Sequence, residues 1–274
     1  TRVIGGLRVE HTDLLTDILR FHELGLTAND TTRGTVGDLS AGGGGSAEPK
    51  PAIPGTIDQW DFLPSINVVH KLRKEPSGPM NLRLSYFRSL ARPSFRELSV
   101  VQLFDYLLNA PVYGNPTLKM PSIDNFDIRL ERFFANGNNI TVSAFHKEFK
   151  NHIELLSTAA GGFTWRNADR SIVDGLELEG RIGILRGLEW RGNVTFMRSR
   201  SDLTSTATGT ELKISTPMYG QAPYIVNSML NYSLDSLGLV FSVSYNVQGP
   251  KLFVVNSELD PEGIQAYEMP RHQI

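Results

Sequence analysis

Cysteine is absent from all 274 residues, which removes disulfide frameworks, thiolate metal sites and cysteine nucleophiles together. No run approaches the roughly 18 consecutive apolar residues of a transmembrane helix, so a helical membrane protein is excluded. Neither sign of charge dominates. Lys and Arg number 27 against 29 Asp and Glu, a formal net charge of -2. No basic stripe interleaved with aromatics appears, so nucleic-acid binding gains little support. The run Gly42-Gly43-Gly44-Gly45-Ser46 lacks the Lys-Ser/Thr of a phosphate loop and reads as a polar surface loop. No Gly-x-Ser-x-Gly elbow supports a Ser/His/Asp triad, and no enzyme is expected. No initiator Met or signal-peptide pattern stands at Thr1, and an alternating segment begins just before Ile274. The chain reads as an internal piece of a longer protein.

What is present is alternation. In Leu176-Glu177-Leu178-Glu179-Gly180-Arg181-Ile182-Gly183-Ile184 and Leu188-Glu189-Trp190-Arg191-Gly192-Asn193-Val194-Thr195-Phe196, apolar or glycine positions alternate with polar and charged ones. Strand side chains point alternately to opposite faces, so one face of such a sheet is greasy and the other charged. A mean hydropathy of -0.19 with 40% hydrophobic residues resembles a soluble protein. That average is equally compatible with a membrane barrel, whose lumen-facing positions dilute it.

The pattern predicts strands at about Arg2–His11, Leu63–Leu72, Asn81–Ala91, Phe126–Phe134, Asn139–Leu156, Ser171–Ile184, Leu188–Arg200, Pro223–Leu234 and Leu239–Val247, with another starting at Arg271. The fifth is long, and its phase blurs at Phe145-His146, which predicts a bulge. Leu98–Leu108 fits either a short helix or a strand extension. Short connections (Arg73–Met80, Ala135–Asn138, Leu185–Gly187, Asp235–Gly238) alternate with long ones near 12–57, 92–124, 157–170, 201–221 and 250–267. That order suits an outer-membrane barrel, with short periplasmic turns and long external loops. Odd-numbered strands would then run outward.

The stretch Asn81–Leu98, then Gly114-Asn115-Pro116-Thr117-Leu118-Lys119, Asn125-Phe126-Asp127 and Arg129-Leu130-Glu131, resembles the barrel of TonB-dependent outer-membrane receptors. Val142–Phe145, Lys147, Phe149, Ile153-Glu154, Asn167-Ala168, Gly175–Glu179, Gly220–Tyr224, Asn227 and Tyr245–Gly249 continue the resemblance over nearly the whole chain. It implies an all-β, antiparallel transmembrane β-barrel fragment: about nine or ten of roughly 22 strands, an open curved sheet if alone. Residues 1–274 would be the C-terminal part of the barrel, without plug domain or first barrel half and with the last strand cut short. The implied function is energised uptake of an extracellular ligand such as an iron-siderophore complex, haem, cobalamin or glycan; the alternative is a passive porin-like channel. The implied partners are the outer-membrane bilayer, the TonB complex through the plug, and an extracellular ligand of unknown identity.

Few side chains suggest chemistry, and no cofactor is expected. His146 and Glu148 share a strand face, as do His152 and Glu154, but no third or fourth metal ligand stands nearby, and exposed polar residues explain them better. Arg83, Asp127, Arg129, Glu131, Glu177, Glu179, Arg181, Glu189 and Arg191 form a lumen series, read as a hydrated ladder of cross-strand pairs and plug contacts. Trp190, Tyr232, Tyr245, Phe133 and Phe134 are candidate lipid-interface aromatics. Residues that contact the ligand are not legible.

Overall fold

A computed structural model describes residues 1–16, 54–73, 78–158, 162–205, 212–254 and 266–273. The glycine-rich run lies outside them. In chain order the elements are β1 (Arg2–Thr16), β2 (Gly55–Arg73), β3 (Met80–Leu90), α1 (Phe95–Leu98), β4 (Gln102–Asp105), β5 (Ala110–Tyr113), β6 (Ser122–Phe133), β7 (Asn139–Lys150) and β8 (Ile153–Ser157). There follow β9 (Phe163–Asn167), β10 (Arg170–Leu185), β11 (Leu188–Ser205), β12 (Leu212–Thr216), β13 (Tyr224–Leu234), β14 (Leu239–Gln248), β15 (Lys251–Val254), β16 (Ala266–Glu268) and β17 (Arg271–Gln273).

The wall is one antiparallel sheet in the order β1-β2-β3-β6-β7-β10-β11-β13-β14-β17, with β12 paired to the upper part of β11. It is open: β1 and β17 form its two edges. Every predicted strand contributes to it, including the segment at Arg271, but the end of the fifth, from Ile153, belongs to another sheet. Short turns close its hairpins at one end. At Gly187 the backbone is left-handed (φ 80°), and a Cβ would lie 2.4 Å from the Ser233 carbonyl oxygen. Only glycine fits both conditions.

Register separates the two faces. One outward row runs Leu82, Leu130, Val142, Leu178, Val194, Val226, Val247 across consecutive strands. The neighbouring inward row runs Asn81, Glu131, Thr141, Glu179, Asn193, Asn227, Asn246. The outward face is uncovered over most of the described residues: Leu178 is 51% exposed, Phe241 58% and Val243 60%, while Val247 near the β17 edge is buried at 6%.

Three boundaries differ from expectation. β1 continues to Thr16 and β2 begins at Gly55, so the first long connection is shorter than 12–57 at both ends. β11 continues to Ser205 and pairs with β12, so part of 201–221 is strand. β7 stops at Lys150, where Asn151 turns left-handed (φ 56°), and its register with β6 and β10 runs unbroken through Phe145-His146. There is no bulge there. Phe145 sits on the polar face because Gly175 opposite it leaves room: a Cβ there would lie 2.2 Å from the ring. The Lys147 ammonium lies 5.6 Å from the centre of that ring.

At about 3.3 Å per residue, the 19 residues of β2 far exceed an apolar band about 25 Å tall. The surplus projects at the long-connection end. There two connections, 91–121 and 151–169, pair with each other as a second sheet in the order β4-β5-β9-β8. The expected plain loops are therefore partly strand, and 98–108 contains both the end of a helix and β4. The buried apolar clusters lie at this end: Ile57, Leu98, Leu118 and Met120 in one, Leu156, Ala168, Leu203 and Leu252 in the other. A wall with one apolar and one wet face has no core of its own.

Candidate functional site

The site has two parts, the inward face of the wall and the folded connections above it. On the inward face, register puts like charges side by side: Arg83 opposite Arg129, and Arg181 opposite Arg191. Each pair shares one carboxylate. Glu131 lies 2.9 Å from Arg83 and 3.3 Å from Arg129, while Glu189 lies 2.7 Å from Arg181 and pairs with Arg191 as well. Arg129 also reaches Glu179 at 2.8 Å. Hydrogen bonds extend the ladder: Asn193 donates to Glu177 at 3.2 Å, Asn227 donates to Asn193 at 2.7 Å, and Asn246 donates to Asn227. The expected ladder is present: its cross-strand ion pairs are diagonal, while Asn193, Asn227 and Asn246 stand directly opposite one another. Asp127 shares this face, across from Ser85 and Phe145.

Aromatics and charges band the outward face. The Trp190 indole lies against Gly180 and Gly192 and donates to Ser228 Oγ at 2.9 Å. Trp190, Tyr232 and Phe134 lie close to the short turns. Tyr245 sits higher and meets His272 Nδ1 at 2.7 Å. Phe133 does not belong with them: it pairs with Asn139 on the inward face, since strand neighbours point to opposite sides. Toward the long connections, the apolar row Leu84, Ile128, Ala144, Leu176, Phe196, Tyr224 gives way to Tyr86, Phe126, His146, Asp174, Arg198. The next row holds Arg88, Asp124, Glu148 and Arg200. Trp190 and Phe196 thus bracket about 20 Å of strand before charge begins.

Of the two histidine–glutamate pairs the first takes separate partners, while His152 and Glu154 stay together at 3.5 Å. His146 binds Asp174 at 2.6 Å and Glu148 binds Arg170 at 2.9 Å on the outward face. His152 and Glu154 lie in the folded connections. Among the described residues no group of three or more His, Asp or Glu is placed to hold a metal.

The connections are stapled rather than loose. Ser94 caps α1 reciprocally with Glu97, as a capping box does. The Leu98 carbonyl accepts from Thr16 Oγ1 at 3.3 Å, and a Cβ on Gly55 would lie 2.2 Å from that oxygen. Arg92 pairs with Glu10 of β1. Asn167 accepts from the Lys119 N–H at 2.8 Å and donates to the carbonyls of Lys119 (3.0 Å) and Asn151 (2.7 Å). Asn115 donates to the Trp165 carbonyl at 2.8 Å. The sequence signal for these two asparagines was their place in the Gly114-Asn115 and Asn167-Ala168 segments, but pattern alone assigned them no role.

The β4–β5 hairpin carries the most exposed apolar tip of this layer. Tyr106 is 88% and Leu107 84% exposed, and Phe104 meets Tyr106 edge-on at 5.2 Å. Asp105 beneath them is held below the usual carboxylate range by the Leu108 N–H, then by the Leu107 N–H and Arg96. Deeper in, burial pushes the Glu154 carboxyl up to about 7 and pulls the His152 imidazole down to about 4. The layer therefore joins adaptable aromatic surface to a rigid frame.

The comparisons with known proteins agree with this geometry. The ferric enterobactin receptor of Pseudomonas aeruginosa is 27% identical over 223 residues, which cover 72% of this chain and 27% of the receptor. The chain thus spans about a quarter of that relative's length. A crystal structure of the same receptor superposes with a TM-score of 0.52 at 20% identity, over 78% of this chain and 31% of that one. The siderophore receptor PirA of Acinetobacter baumannii gives 0.50 at 15% identity, over 78% and 34%. The model of the TonB dependent receptor-like β-barrel family matches residues 1–267, and the chain belongs to that family of outer-membrane receptors.

Proposed function

We propose that this chain supplies part of the wall and mouth of a receptor that takes up a ferric siderophore across the outer membrane. The observation that carries this reading is the stapled, aromatic-tipped layer of connections above a wall whose two faces suit lipid and water. The names of the similar receptors favour a siderophore over haem, cobalamin or a glycan. The ten-strand wall would be one arc of a cylinder of about 22 strands, the C-terminal part of the barrel. TonB would act through a plug domain seated against the Arg–Glu ladder.

Radiolabelled iron uptake tests the proposal in cells expressing the receptor, supplied with a ferric siderophore, with and without TonB. Accumulation only in the TonB-containing cells is expected. Equal accumulation in both would favour a passive channel instead.

A further inference from the structure

Among the described residues no other acid or base is as deeply buried as Glu154, which is 0% exposed. It stands on β8, in the connection between β7 and β10, and reaches beyond it. Its Oε2 accepts from the Tyr219 N–H at 3.1 Å, in the connection between β12 and β13. The Ser201 hydroxyl on β11 acts on the same carboxyl, lowering its pKa, and Ser201 Oγ lies 2.7 Å from Ser171 Oγ on β10. One carboxyl therefore joins two long connections to two adjacent wall strands, at the edge of the cluster of Leu156, Ala168, Leu203 and Leu252 that packs Tyr219.

The other oxygen, Oε1, is buried without a hydrogen-bond partner, and His152 Nε2 stands 3.5 Å away. An ionised carboxylate with a bare buried oxygen is costly, as is a buried imidazolium. The separation would serve an ion pair, yet burial moves both groups toward their uncharged forms and on Glu154 outweighs the Tyr219 N–H and Ser201, which favour the carboxylate, leaving a neutral acid beside a neutral base. Arg166 lies opposite Glu154 across the β8–β9 pair. From the other connection, Tyr219 is the titratable group facing it; Asp105 and Glu268 act on that phenol.

We propose that Glu154 is a positioning residue for ligand capture: as an uncharged acid it clamps the connection carrying Tyr219 onto the wall, and its ionisation loosens the clamp. The ligand-capture half rests on the uptake reading above; the clamp does not. Because Glu154 is raised from 4.5 to about 7 when clamped, the clamp weakens as pH rises through that window. His152, lowered from 6.5 to about 4, acts in the opposite sense as pH falls. The two offset each other between 4.5 and 6.5, which leaves a plateau with an alkaline arm owed to Glu154.

Amide hydrogen exchange at Tyr219 in the intact receptor, corrected for the intrinsic rate, reads the clamp directly. Wild-type protection should fall about threefold between pH 6 and 8. Glu154→Gln should keep protection high with no fall between pH 6 and 8, only the rise owed to His152 remaining, and bind ferric enterobactin like wild type. Glu154→Ala should lose about tenfold in protection at pH 6 and bind the ferric complex more weakly. Unchanged Tyr219 protection in Glu154→Ala, or a Glu154→Gln variant no better protected than Glu154→Ala, would overturn the clamp. Full affinity in an unclamped Glu154→Ala variant would overturn the positioning role. A wild-type receptor that binds no ferric siderophore would instead overturn the uptake reading, with the exchange data still deciding the clamp.

Discussion

At the residue scale, side-chain parity assigns each strand position to lipid or lumen. Val194 and Val243 sit in outward rows, so replacing either with Arg should cost about 2–4 kcal/mol near midplane. The same change at Asn193, on the inward face, should cost far less. Urea or guanidinium unfolding of the refolded barrel measures the difference. Parity was legible for most strands because apolar and polar residues alternate cleanly. It misled at Phe133, where two adjacent phenylalanines looked alike and only the register with Asn139 separates them. Phe145 misled in the opposite way, as an apolar ring on the wet face that a glycine one strand away accommodates. The exposed pair Phe104 and Tyr106 belongs to the mouth. Removing both rings should weaken ferric-siderophore binding by about tenfold, the worth of a modest aromatic contact, with uptake falling in parallel; unchanged affinity would place the ligand elsewhere.

At the scale of elements, wall and mouth obey different rules. The wall repeats one short hairpin, and its turns tolerate little. Gly187→Ala meets both a left-handed backbone and the Ser233 carbonyl. It should destabilise the β10–β11 hairpin by about 2 kcal/mol or more, visible as slower barrel assembly in a gel-shift refolding assay. The mouth depends on single polar staples. Asn167→Ala removes three hydrogen bonds at about 1 kcal/mol each. It should raise exchange at 118–120 and 152–154 while leaving β10 and β11 protected. The sequence announced the hairpins through periodicity and turn composition. It ran β8 into the preceding strand, left β4 open between helix and strand, and did not announce β5 and β9: each has four or five residues, too few for a period, and they pair across two connections far apart in the chain. Nor could it reveal that Glu154 closes the contact between two such connections, since burial depends on those pairings.

At the scale of the molecule, the apolar surface is assigned to acyl chains and the opposite surface to water. Every outward row from Leu82 to Val247 and the charged margin beyond Phe196 follow from that division. So do the missing wall core and the gathering of buried apolar side chains in the mouth. A soluble sheet would have to cover Leu178 and Phe241 with another layer, and none of the described residues does so. The absence of cysteine makes the division open to direct measurement. Single cysteines at 178, 194 and 243, and at the inward positions 179, 193 and 244, can each carry a small fluorophore in the receptor reconstituted with brominated lipids. Strong quenching at the first three and little at the second three is expected. Equal quenching on both faces, or none on the outward one, would contradict the assignment of that face to lipid.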